Sequence, residues 1–438
     1  MTAAIIAMFV MLMVMLLIGY PVAFTLGAVA LFFGSIFLGL DFFNLLPLQI
    51  WGMMTNFTLL AVPLFIFMGV TLDKSGLAKD LLETMGLLFG KMRGGLAVSV
   101  VIVGALLAAT TGIVGATVVT MGIIALPTML KRHYSPLLAS GTIAASGTLG
   151  QIIPPSIILI LLGDVMGVPV GRLFVGAVIP GAILVTLFLL YILCLAWVKP
   201  EVAPALEINE DGDLLRKVIF TLSPPLLLIT SVLGSIFAGI ASPTESAAVG
   251  ALGAMILSAA HGQLTMNNMK AAIQLTVRLT SMVFMILIGA IAFGLVFRGM
   301  GGDTLVREMM TNIPGGVWGF MFVSMLLIFV LGFFLDFLQI CFIVVPIIAP
   351  IANLLEIDLL WLAVLIALNL QTSFLTPPFG FSLFYLKAVA PPEIRIQDIY
   401  RGIIPFVMIQ ILTLILLMLF PILVTWLPDL IDRLNGLL

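Results

Sequence analysis

Apolar runs of about twenty residues follow one another through this chain, and they fix the solvent in which it can fold. Hydrophobic residues make up 62% of the 438 positions and charged residues only 9%, with a mean hydropathy of +1.32. A soluble domain carries about 25% charged residues, so there are too few charges here to clothe a water-facing surface. The run length matches helices that span a bilayer. The alternating segments of about 10 residues that build outer-membrane barrels are absent. A net charge of −2 leaves no footprint for a polyanion, so nucleic acid is not an expected partner. Cys194 and Cys341 lie inside apolar runs without metal-ligand spacing and read as packing residues. The leading residues, "MTAAIIAMFVMLMVMLLIGYP", lack a basic region and a small-residue cleavage site, so they read as a first spanning helix, not a signal peptide.

Two of the runs are broken in the same way. "SGTLGQIIPPSIILILLGD" starts at Ser146 and "LQTSFLTPPFGFSLFYLK" at Leu370, and their Pro-Pro pairs (154–155 and 377–378) are 223 positions apart. At the same offset "IIALP" (123–127) meets "PIIAP" (346–350). "GYPVAFTLGAVAL" from Gly19 meets "ASPTESAAVGALG" from Ala241 at 222, and "RGG" (93–95) meets "PGG" (314–316) at 221. Four landmarks in one order point to a duplicated unit. The halves are 1–198 and 218–438, joined by the polar linker 199–217, "KPEVAPALEINEDGDLLRK".

Each half reads in the same order. The first has helices at about 2–19, 21–39 and 51–72, then an amphipathic stretch. An apolar segment at about 95–130 follows, then a broken helix at about 136–166 and a last helix at about 173–198. The second half repeats this with helices at about 218–240, 243–260 and 275–297, a polar stretch at 298–314, a segment at about 315–350, a broken helix at about 359–387 and a helix at about 400–427. The segments at 95–130 and 315–350 are too long for one span. They are either two full spans or re-entrant hairpins with tips at mid-membrane. Hairpins give five spans per half, an odd number that inverts the second half. Arg172, Arg298, Arg307 and Arg433 then lie on one side and the other fourteen Lys and Arg on the opposite side, a strong positive-inside bias. Two full spans keep the same sides but put glycine-rich tips in water and leave the matched polar residues without a purpose, so hairpins are the favoured reading. Both termini are then expected outside, the linker in the cytoplasm, the first hairpin entering from the cytoplasm and the second from outside.

The breaks carry the chemistry. Proline donates no backbone hydrogen bond and clashes with the carbonyl one turn earlier, so carbonyls before Pro154 and Pro377 lose their helical donors. Such groups must face protein or a wet cavity. With nearby hydroxyls (Thr148; Thr372, Ser373 and Thr376) they make a hard-oxygen cage suited to Na⁺, and each following half-helix offers its N-terminus to a carboxylate. An inverted repeat with broken helices is a secondary-transporter architecture; a simple proline kink is the alternative. Thr110, Thr111, Gly112, Gly115 and Thr117 sit at the first hairpin tip, where close helix packing is the plainer role. Asp336 and Gln339 sit in the second, and an ionised Asp336 in so apolar a segment needs a cation, a proton or a basic partner. Glu245 in "SPTESAA" fits helix capping as well as transport. Asn56 lines a cation path or caps a helix. Asp164 near a helix end is expected to be solvated. Arg278 and Arg298 could attract an anion, though anchoring at the headgroups is the commoner role. His133 and His261 fall in loops.

These motifs together, with "FFLDFLQICFIVVPIIAPI" and "NLQTSFLTPPFGFSLF", resemble the large membrane subunit of the TRAP (tripartite ATP-independent periplasmic) transporters along essentially the whole chain. The resemblance implies an all-α, polytopic inner-membrane permease with an elevator-type mechanism and Na⁺-coupled import of an organic acid. It also implies a small four-helix membrane subunit and a periplasmic substrate-binding protein as partners. Na⁺ is then the coupling ion, with no other cofactor. The family's Na⁺ sites, where each hairpin tip meets a broken helix, match Thr110 to Gly115 with Thr148 to Ile153, and Phe334 to Gln339 with Thr372 to Pro377. Na⁺ is accordingly expected at Thr110, Gly115, Gly150, Asn56, Asp336, Thr372, Ser373 and Pro377. Substrate is expected at Thr111, Gly112, Thr148, Asp336, Gln339 and Thr376. The tips "TTGIVGAT" and "LDFLQI" depart from the serine-rich first tip and the Pro-Ala after Asp found in many sialic-acid and dicarboxylate members. The first tip is similar to members assigned 2-oxoacids, lactate or related monocarboxylates.

A stand-alone cation-coupled anion symporter of related fold is the alternative, distinguished by needing no binding protein. A channel fits less well, since no charge ring appears. No His-Glu-x-x-His motif, nucleophile–base constellation or phosphate-cradling loop supports an enzyme or an ATP-driven pump.

Overall fold

In a computed structural model, residues 1–112, 114–205, 214–311 and 313–435 are described, and all their regular structure is helical. In the first half the helices are α1 (Thr2–Ile18), α2 (Val22–Phe37), α3 (Leu46–Met54), α4 (Ala61–Lys74), α5 (Leu77–Phe89), α6 (Gly95–Thr111), α7 (Val114–Lys131), α8 (Pro136–Thr148), α9 (Ile157–Met166) and α10 (Val170–Val198). In the second they are α11 (Leu214–Phe237), α12 (Pro243–Ala260), α13 (Met266–Gly299), α14 (Gly302–Thr311), α15 (Gly316–Leu331), α16 (Phe337–Gln339), α17 (Val345–Leu354), α18 (Leu359–Leu375), α19 (Phe381–Val389), α20 (Ile396–Leu419) and α21 (Ile422–Leu434). A π turn, Ile340–Val344, joins α16 to α17. Seven helices among the described residues are long and apolar enough to cross a membrane. The outer surface is apolar too: Trp197 is 82% exposed and Phe57 79%. A surface of that kind is at home in lipid.

Local sequence explains the ends. α1 stops at Gly19, whose φ of 98° only glycine adopts freely, and Pro21 leads into α2. Ser242 and Glu245 form a reciprocal capping box on α12, so Glu245 is a cap. α5 buries Leu77, Leu81 and Met85 and leaves Lys79 and Glu83 exposed, as an amphipathic helix must. Three expectations change. The helix expected at 51–72 is divided at Thr55–Asn56, where Asn56 caps the next turn by accepting from Thr58 N at 2.9 Å. Its counterpart α13 is unbroken and begins at Met266, nine residues before the expected start. The helix expected at 400–427 is interrupted at Phe420–Pro421, because Pro421 has no N–H to continue α20. Residues 206–213 of the linker lie outside the described residues.

Two packing regions follow. In one, α2 lies on α13, and α4 on α12 and α13. Lipid gives no hydrophobic drive between helices, so close approach through small residues supplies the contact energy. A methyl group on Gly289 would lie 2.6 Å from Ala23 O. In the other region α8 crosses α20 and α18 packs on α10 and α20. There Gly141 and Gly402 let the α8 and α20 backbones touch, a methyl group on Gly141 reaching 2.1 Å from Gly402 O. The helix–tip–helix pairs α6–α7 and α15–α17 join this second region, α6 along α8 and α15 along α18.

Candidate functional site

Each tip meets a break. At the first, α6 ends at Gly112 in the left-handed conformation (φ 59°), and a methyl group there would sit 3.4 Å from Pro155 O. Ser146 and Gly150 face the hairpin: a methyl group on Gly104 would meet Ser146 Cβ at 2.6 Å, and one on Gly150 would meet Ala108 Cα at 3.6 Å. At the second, Asn369 donates to Met325 O at 2.7 Å, and a methyl group on Gly332 would lie 2.1 Å from Ser373 Oγ. Ser146 and Asn369, and Gly150 and Ser373, are each 223 positions apart. The same turns of α8 and α18 thus seat the two hairpins.

The prolines act on named carbonyls. Pro154 and Pro377 deny Gly150 O and Ser373 O their helical donors, and Pro155 and Pro378 do the same to Gln151 O and Phe374 O. A serine from beyond each break repairs the second loss: Ser156 Oγ donates to Gln151 O at 2.7 Å and Ser382 Oγ to Phe374 O at 2.8 Å. Thr376 N donates to Ser373 O at 3.1 Å. Both Pro-Pro bonds are cis. Thr110 and Thr111 each donate to Leu107 O at 2.9 Å, and Thr111 bonds Thr117 at 2.9 Å across the tip. Their protons are spent on the protein, so oxygen lone pairs remain for a cation. Thr372, Ser373 and Thr376 likewise donate to Leu368, Leu370 and Thr372 carbonyls.

Asp336 starts the second arm of its hairpin. Its half-buried carboxylate accepts from Phe337 N at 2.7 Å, and no basic side chain pairs with it among the described residues. Gln339 follows one turn later with its side-chain oxygen buried and unpartnered. Rings seat this tip on its break: Phe334 lies 5.4 Å from Phe379, and Phe337 6.2 Å from Phe374.

Not every expected residue reaches a tip. Ser146 and Gly150 face the hairpin, so Thr148, midway between them, faces away. Its hydroxyl donates to Ala145 O at 2.8 Å and lies 3.5 Å from Gln410 Nε2 on α20. Asn56 makes its hydrogen bonds to other residues than those of the tips. It caps its own turn and donates through Nδ2 to Asp164 on α9. That bond corrects the reading of Asp164 as a solvated residue: it is half-buried and held. One residue was missed. Tyr385 on α19 lies against the first tip, where a methyl group on Gly115 would be 3.2 Å from its ring, and it lines the cleft there with Thr111. Nothing in its apolar sequence neighbourhood marks it.

Two clefts lie along the hairpins. One of about 300 Å³ is lined by Gly69, Asp73, Thr111, Gly115, Leu279 and Tyr385. The other, of about 250 Å³, is lined by Met53, Asp164, Gly294, Arg298, Asp303 and Phe342. The walls of both come from the region holding α4 and α13 on one side and from a hairpin on the other. One hydrogen bond spans the divide beside each: Thr120 to Asp73 at 2.8 Å, and Asn56 to Asp164.

Known proteins resemble the chain over most of its length. The family described as "Tripartite ATP-independent periplasmic transporter, DctM component" matches residues 9–423. The C4-dicarboxylate TRAP transporter large permease protein DctM of Pseudomonas aeruginosa is 30% identical over 87% of both chains. The sialic acid TRAP transporter large permease protein SiaM of Vibrio cholerae is 29% identical over 95% of this chain and 96% of its own. The crystal structure of the Alcanivorax borkumensis YdaH transporter, at 14% identity, shares the fold with a TM-score of 0.62 over 88% of this chain and 89% of its own. The sequence matches decide it: the chain belongs to the DctM component family of the tripartite ATP-independent periplasmic transporters and is a multi-pass membrane permease, not an enzyme.

Proposed function

We propose that the chain is the large permease subunit of a Na⁺-coupled, binding-protein-dependent importer of an organic acid in a bacterial inner membrane. A small four-helix membrane subunit and a periplasmic substrate-binding protein complete it. The observation that carries this reading is the pair of tip–break junctions, built from repeat-related residues and offering hydroxyl and carbonyl oxygens in an apolar setting. Hard oxygen donors of this kind suit Na⁺. One Na⁺ orders each tip: Thr110, Gly115 and Gly150 hold the first, and Asp336, Thr372, Ser373 and Pro377 the second. The substrate carboxylate lies between the tips, near Thr111, Gly112, Thr376 and Tyr385 and the starts of the half-helices. Asn56 and Thr148 act elsewhere, Asn56 as a pin on α9 and Thr148 within the core.

In transport, the hairpins and broken helices move as a body against α4 and α13, as in an elevator, and both spanning hydrogen bonds must break. Thr120→Val removes one of them. A hydrogen bond to a charged group is worth about 1.5–3 kcal/mol, so labelling of a cysteine placed at Val119 is expected to quicken at least tenfold. An unchanged labelling rate contradicts this role.

Reconstitution tests the function. The chain is placed in proteoliposomes with its small subunit and binding protein and offered labelled carboxylates with and without an inward Na⁺ gradient. Uptake that requires both the gradient and the binding protein is the expected result. Gradient-driven uptake without the binding protein identifies a stand-alone symporter instead.

A further inference from the structure

The second cleft is lined by one cation, the exposed Arg298. Arg298 is on the last turn of α13, where an arginine serving as an interfacial anchor extends past the helix end toward the headgroups. Its guanidinium instead folds back one turn over Gly294: a methyl group there would lie 3.6 Å from one terminal nitrogen and 3.9 Å from the other. Both residues line the cleft. Glycine at 294 leaves the room, and helix geometry supplies the direction, since side chains lean toward the helix N-terminus. Arg298 makes no ion pair or hydrogen bond among the described residues. The charged groups facing it are Asp303, at the start of the next helix, and Asp164, one of whose oxygens is held by Asn56. A guanidinium fork matches a carboxylate with two parallel hydrogen bonds.

We propose that Arg298 is a carboxylate-binding residue of the permease, engaging the substrate acid in the cleft between α13 and the second hairpin. On the topology above, this cleft opens to the periplasmic side, so Arg298 meets the acid on its way to the tips. The proposal rests on the organic-acid reading and names a residue that sets its affinity.

Equilibrium binding of labelled mono-, di- and hydroxycarboxylates to the purified permease with its small subunit, in saturating Na⁺, tests it. The binding protein is left out, so docking plays no part. For the acid that the wild type binds, R298Q is expected to weaken binding at least tenfold, and R298K, which keeps the charge but not the fork, to fall between R298Q and wild type. Wild-type affinity in R298Q overturns the proposal and leaves the function standing. Equal loss of folded protein in R298Q and R298K also overturns it, because that marks a structural residue. Failure of the wild-type complex to take up any acid with Na⁺ removes the organic-acid reading and this inference with it.

Discussion

Replacing Asp336 with alanine is expected to abolish Na⁺-driven uptake while leaving folded permease in the membrane near its wild-type amount. The carboxylate does two things. It caps the second arm of the hairpin through Phe337 N at 2.7 Å, and it puts a negative charge beside Thr372 to Pro377 with no basic partner among the described residues. A charge at mid-membrane costs about 2.5–3.5 kcal/mol on insertion scales, a cost that a bound Na⁺ offsets. Losing a cap costs about 1 kcal/mol, and asparagine caps about as well as aspartate. Asp336→Asn therefore separates the two roles. It should keep the thermal stability of wild type and still lose at least a hundredfold in uptake rate. Wild-type uptake in Asp336→Asn would remove Asp336 from the cation site.

The second large effect is steric. Gly332→Val should lower apparent Na⁺ affinity more than tenfold. A single methyl group at this position already meets Ser373 Oγ at 2.1 Å and Ser373 Cβ at 2.6 Å, and valine adds two more carbons. Gly332 has an ordinary helical φ of −64°, so the backbone itself tolerates the change. What cannot persist is the contact between hairpin and broken helix. The tip must lift from Ser373, and the oxygens that the break presents separate from Asp336. Gly27, which has open space around it, provides the control: Gly27→Ala should leave Na⁺ dependence unaltered. Uptake measured across a range of Na⁺ concentrations reads both variants. Equal Na⁺ dependence in Gly332→Val and wild type would show that the junction is not where the cation binds.

Much of this was legible in the residues because the constraints are strong and local. A near-absence of charge leaves only membrane helices. Proline at 154 and 377 must strip carbonyls of donors wherever it sits. Aspartate in an apolar run must be capped, partnered or charged for a purpose. What the sequence hid was direction and distance. Thr148 is two residues from both Ser146 and Gly150, and only the helix seated against α6 shows that it faces α20 instead. Asn56 and Asp164 are 108 positions apart and mark nothing in common until α9 lies beside the start of α4. Tyr385 stands among phenylalanines and leucines, and its place against the first tip comes from α19 packing on α7, a contact between the two halves. The division at Phe420–Pro421 follows from a proline the sequence displays, whereas the one at Thr55–Asn56 lies within an apolar stretch, so composition alone runs those helices together.

The central claim is that each tip–break junction holds a Na⁺ ion, and equilibrium binding of radioactive sodium to the purified permease with its small subunit tests it most directly. The account predicts saturable binding that K⁺ does not displace, reduced by about half in Asp336→Asn because the first junction is untouched. Absence of saturable Na⁺ binding, or full wild-type binding in Asp336→Asn, would contradict it.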